Sequence, residues 1–66
     1  MKIIQVNMLK KGEHFRISPE DEKIYRRGDY VFKENKYACI RIGKDGATEL
    51  FAGTELVYRI SVYGEE

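Results

Sequence analysis

Sixty-six residues with 12 Lys+Arg against 11 Asp+Glu, a formal net charge of +1, describe one small domain. The balance excludes the bulk basicity of a protein that holds duplex DNA through its phosphates. Charged residues at 35% beside hydrophobic ones at 42% fit a folded domain with a soluble surface and exclude a disordered chain. The single cysteine, Cys39, rules out an internal disulfide, and one cysteine with one histidine, His14, cannot build a structural zinc site.

A domain of this size buries only about 60% of the surface its unfolded chain exposes. With disulfide and metal unavailable as staples, a partner subunit is the remaining source of added stability, and a homo-oligomer is expected. The stretch from Met1 to Leu9 is too short and too polar for a signal-peptide core. No segment approaches the ~20 apolar residues of a membrane span, so the expectation is a cytoplasmic protein with no membrane partner. A single reduced thiol suits that compartment.

In chain order, Lys2 to Val6 is a β-branched run that predicts a first strand, and Leu9 to Glu13 a turn in which Gly12 supplies a positive φ. His14-Phe15-Arg16-Ile17 alternates, placing Phe15 and Ile17 on a core face. Ser18-Pro19-Glu20-Asp21-Glu22 breaks the pattern and suits a loop or a single helical turn. Lys23 to Arg26 and Asp29 to Phe32 read as strand, with Arg27-Gly28 a turn or bulge between them. Lys33 to Lys36 predicts a hairpin loop with Asn35 in the left-handed conformation. Tyr37 to Ile42, Ala47 to Phe51 and Glu55 to Val62 complete the strands. Gly43 to Gly46 and Ala52 to Thr54 are the turns between them, and Tyr63 to Glu66 is a frayed end.

Five to seven short strands predict an all-β domain, a small antiparallel meander folded as a strongly bent sheet or SH3-like barrel over residues 1–66. Tight turns favour pairing between strands adjacent in sequence. The predicted core holds Phe15, Ile17, Ile24, Tyr30 or Val31, Ala38, Ile40, Ile42, Leu50, Leu56, Tyr58 and Ile60.

Ile24-Tyr25-Arg26-Arg27-Gly28-Asp29-Tyr30, Asn35-Lys36-Tyr37-Ala38-Cys39 and Phe51-Ala52-Gly53-Thr54-Glu55-Leu56-Val57-Tyr58 carry a resemblance. Over most residues after Lys11 the chain resembles short β-rich proteins of gut Bacteroidota and their phages or plasmids. The resemblance implies a commensal or mobile-element origin and an accessory role. It brings no activity and no functional residue with it.

Candidate chemistry is sparse. A catalytic Cys39/His14 pair would need hydrogen-bond contact and an orienting third group. Arg41, two residues from Cys39, could lower the thiol pKa, yet cysteine is among the residues most often buried as a small hydrophobe, and that structural role is favoured. Glu20, Asp21 and Glu22 are consecutive, whereas a calcium loop alternates its ligands, so a solvated loop is favoured over a cation site. Arg27-Gly28-Asp29 spells an adhesion tripeptide but lies where glycine supplies a turn or bulge, and Gly43 to Thr48 lacks the spacing of a phosphate loop. No cofactor, metal site or enzymatic activity is expected.

Tyrosines interleaved with arginines are the pattern that remains. Tyr25-Arg26-Arg27, Tyr37 with Arg41, and Tyr58-Arg59 place aromatic faces beside guanidinium groups. By parity Arg16, Arg41 and Arg59 are expected on the outer faces of their strands as one basic stripe. The ordinary alternative is cross-strand packing on a half-exposed sheet, with the charges paired to acids. The function expected is a small non-catalytic binding module. It would engage a protein or small anionic ligand through Arg16, Tyr37, Arg41 and Arg59, with Arg26 and Arg27 in support. The alternatives are a single-stranded nucleic-acid binder and a phage-type inhibitor that sequesters a host protein or nucleotide signal.

Overall fold

The computed structural model describes residues 2–43 and 46–60. Within them the fold is all-β: β1 (Lys2–Gln5), β2 (His14–Arg16), β3 (Ile24–Val31), β4 (Lys36–Ile42), β5 (Thr48–Ala52) and β6 (Leu56–Ile60), with a 3-10 turn at Val6–Met8 after β1. All six strands lie in one antiparallel sheet in the order β1-β6-β2-β3-β4-β5. The middle of that order, β2 to β5, is a meander. Strand β6 departs from sequential pairing, joining β1 and β2 rather than β5.

That order forces the sheet to curl. β5 and β6 are separated in the sheet by three strands, yet only Gly53, Thr54 and Glu55 connect them. In a flat sheet at ~4.8 Å per strand, β2 and β5 would lie about 14 Å apart. Instead the rings of Phe15 on β2 and Phe51 on β5 meet edge to face at 5.3 Å. The 3-10 turn clasps the join: the Val6 and Asn7 backbone N–H groups donate to the Glu55 and Gly53 carbonyls at 3.0 and 2.9 Å.

The curl encloses an aromatic core. Phe15 stacks on Tyr25 at 5.6 Å, and Tyr25 meets Phe51 at 5.2 Å. Val6, Leu9, Cys39 and Val57 close around these rings, with Ile4 and Tyr37 packed against them. Each such side chain contributes on the order of 1.5–3 kcal/mol by leaving water.

The facing of β4 and β6 is the reverse of the sequence expectation. Cys39 and Val57 are fully buried, whereas Ile42, Leu50 and Leu56 are exposed, Ala38, Ile40, Tyr58 and Ile60 half-buried. Ile17 is also exposed, Ile24 and Val31 are half-buried, and Tyr30 stands at the exposed boundary. Only Phe15 of the expected core is fully inside. The physical reason is volume. The rings of Phe15, Tyr25 and Phe51 fill the concave side of the curled sheet. Because Phe15 stands opposite Arg59, Tyr25 opposite Arg41 and Phe51 opposite Tyr37, the Tyr37/Cys39/Arg41 and Val57/Arg59 parities turn inward with them.

Local signals are reproduced where they are chemical. Asn35 adopts φ 57° and Gly12 φ 96°. The β3–β4 register shifts between Arg27 and Tyr30, a bulge at Gly28. Ser18 to Glu20 forms a bend and turn; Asp21 Oδ1 accepts the Lys23 N–H at 3.0 Å, and the Asp21 carbonyl accepts from Arg16 Nη1. The expected strand end at Ser61 and Val62, the frayed tail and the centre of the Gly43–Gly46 turn lie outside the described residues.

Candidate functional site: an aromatic cleft ending on an arginine

Residues directly opposite on neighbouring strands share a face of the sheet. Phe15 stands opposite both Tyr25 and Arg59, and Tyr25 opposite Arg41. Arg41 and Arg59 therefore sit at positions of the aromatic face. Arg16, opposite Tyr58, is on the reverse face with Arg26, which stands opposite His14 and Ile40. The expected stripe of Arg16, Arg41 and Arg59 is not assembled, because the parity that sets it is inverted on β4 and β6. Arg59 is in addition committed locally: its Nε donates to Glu13 Oε2 at 3.0 Å.

Two of the six expected residues do come together. The Arg27 guanidinium lies over the Tyr37 ring, 4.3 Å from its centroid. Arg27 Nε is buried without a hydrogen-bond partner among the described residues, and the Tyr37 ring face stabilises the cation as a whole. Strand pairing sets Tyr30 opposite Tyr37, their rings 4.9 Å apart, and Tyr30 in turn meets Phe32 edge to face at 5.0 Å. Phe32, Tyr30, Tyr37 and Arg27 thus form a continuous train from the hairpin loop to the bulge. Phe32 is 82% exposed and Tyr30 36%.

A cleft of about 390 Å³ opens beside this train, lined by Asn7, Tyr30, Asn35, Tyr37, Gly53 and Thr54 with Ala52. Its walls come from three distant stretches of chain: the 3-10 turn, the β3–β4 hairpin and the β5–β6 turn. The Tyr30 hydroxyl donates to Asn35 Oδ1 at 3.2 Å, fixing the ring against the loop. A Cβ at Gly53 would press on Asn7 Cβ and Tyr37 Cε1, both at 3.1 Å, so glycine keeps the cleft floor open. Tyr30, Phe32, Asn7 and Asn35 were not among the expected site residues. The bulge signal at Arg27-Gly28 could have found Tyr30, since a bulge resets the facing of everything after it.

Cys39, for which the sequence favours a structural role over a catalytic pairing with His14, lies on the opposite face of the sheet from it. Cys39 is fully buried on the aromatic face, its Sγ 3.8 Å from the Tyr37 carbonyl, and burial pushes its thiol pKa up. His14 is on the reverse face, its pKa lowered by burial and by the nearby Arg26. Arg27-Gly28-Asp29 lies in the bulge, not at a displayed loop tip, with Asp29 held by Lys11 at 2.7 Å.

No protein-family model, curated protein or solved structure matches the chain.

Proposed function

We propose that this domain is a small non-catalytic binding module that takes an extended peptide segment of a partner protein along the Phe32–Tyr30–Tyr37 train. The observation that carries the reading is the exposed aromatic train beside a 390 Å³ cleft whose rim is amide and hydroxyl. Aromatic ridges with a few placed polar groups recognise extended, proline-rich segments, whose conformation is already ordered before binding. Asn7, Asn35 and Thr54 supply side-chain donors and acceptors for such a backbone. Arg27 serves as a positioning residue that holds the Tyr37 ring.

The test titrates three probes: a proline-rich peptide, an acidic peptide and an oligothymidine. The chain lacks tryptophan and two of its five tyrosines, Tyr30 and Tyr37, line the site, so tyrosine fluorescence reports binding and amide chemical shifts locate it. The proline-rich peptide is expected to shift Tyr30, Phe32, Tyr37 and Gly53, with Tyr30→Ala and Phe32→Ala each weakening binding about tenfold. Oligothymidine binding that falls steeply with salt would replace this reading with single-strand recognition. Silence from all three probes overturns both.

A further inference from the structure

The face of the sheet turned away from the aromatic core has its own chemistry. Its register positions include Ile24, Ile40, Ile42, Leu56, Tyr58 and Ile60, none of them fully buried. An antiparallel sheet with one solvated face normally alternates apolar with polar residues. β4 and β6 do not alternate, which is the composition of strands covered on both sides. Ile42 is 44% exposed and Leu56 61%, so among the described residues nothing covers them fully.

The charges on this face have one sign. Arg16, Arg26 and Lys36 occupy outward positions beside a neutral His14, and no described outward register position holds a carboxylate. Asp29, in the bulge at the margin, is already paired with Lys11. Between them lies a hollow of about 520 Å³ lined by Gly28, Ala38, Ile40 and Thr48, with Arg26 and the Lys11–Asp29 ion pair at its edge.

We propose that this outer face docks an acidic amphipathic segment of a partner protein. An apolar side chain of the partner enters the Gly28/Ala38/Ile40 hollow and its carboxylates meet Arg26. Charge selects the occupant. A second copy of the chain packed face to face would set like charges against each other, a costly juxtaposition. In the row Ile60–His14–Arg26–Ile40 the cation lies between the isoleucines rather than at the rim. An anionic lipid surface therefore could not bury the isoleucines without drawing Arg26 into hydrocarbon. Carboxylates interleaved with apolar residues satisfy both.

The experiment is a selection from a displayed random peptide library on the full chain, with Arg26→Glu and Ile42→Glu as parallel baits. Both positions are exposed, and matched urea midpoints establish that the variants fold. The expected result is enrichment of sequences that interleave Asp or Glu with apolar residues, retained about tenfold less by either variant. Tyr30→Ala, in the cleft, should retain them fully. Enrichment only of basic or neutral sequences among those that Tyr30→Ala still retains, or equal retention of acidic winners by the Arg26 and Ile42 variants, overturns the proposal. Loss on Tyr30→Ala moves the binders to the cleft and overturns it while leaving the cleft reading intact. Concentration-dependent dimerisation abolished by Ile42→Glu assigns the face to a second copy, and co-sedimentation with phosphatidylglycerol vesicles assigns it to lipid; either overturns it.

Discussion

Leu56 and Val57 are neighbours in the chain and lie on opposite sides of the sheet: Val57 is fully buried and Leu56 is 61% exposed. Truncating each side chain therefore reads the facing of β6 directly. Val57→Ala should cost about 2 kcal/mol, the loss of two buried methyl groups plus a residual cavity. Leu56→Ala should change stability by no more than about 0.5 kcal/mol. Urea midpoints at constant slope measure both. A larger loss at Leu56 would mean that the inverted facing is wrong.

Gly28 sits against β4 so closely that an added Cβ would overlap the Ala38 carbonyl oxygen. Backbone cannot step aside as a flexible side chain can, so Gly28→Ala should destabilise by about 1–3 kcal/mol. Gly12→Ala is the control: its φ of 96° is strained for alanine, but nothing lies within 4 Å of the added atom. Its cost should stay near 1 kcal/mol.

Stability should fall with acid in two separable windows. Burial and Arg26 lower the His14 pKa below 6.5, so the unfolded chain binds the proton more readily than the folded one. The folded state has its full advantage above pH 6.5 and loses part of it as pH falls from 6.5 toward the lowered value. Glu13 is lowered below 4.5 chiefly by the Lys10 backbone N–H, against burial, with help from Arg59. Its contribution is present above 4.5 and disappears as pH drops through the folded value. His14→Gln should flatten the upper window and Glu13→Gln the lower one in pH-dependent urea melts. A slope unchanged in both variants would refute the assignment.

The Cys39 thiol, fully buried and pushed up in pKa by that burial, should resist thiol reagents in the native state and react promptly in denaturant. Native labelling at the rate of a free thiol would mean that the β4 face opens on its own.

The Phe15–Tyr25–Phe51 cluster accounts for how much of this molecule could be read in advance. Phe15 was legible as core from its alternation with His14 and Arg16. The facing of β4 was not, because Ala38, Ile40 and Ile42 compete with Tyr37 and Cys39 and a period of two is blind to which set wins. Cysteine's strong tendency to be buried was the available hint. The candidate site was half legible: Arg27 and Tyr37 were among the expected residues, while Tyr30 and Phe32 depended on the bulge.

By itself the sequence determined the strands, the left-handed turn at Asn35 and the bulge near Gly28, since each follows from backbone sterics and side-chain branching within a few residues. Tertiary structure alone decided that β6 joins β1 and β2, which face of the curled sheet holds the aromatic rings, and which arginines share a side. Those outcomes are settled by fitting ring volumes from β2, β3 and β5 into one concave space. No single stretch of the chain contains that sum.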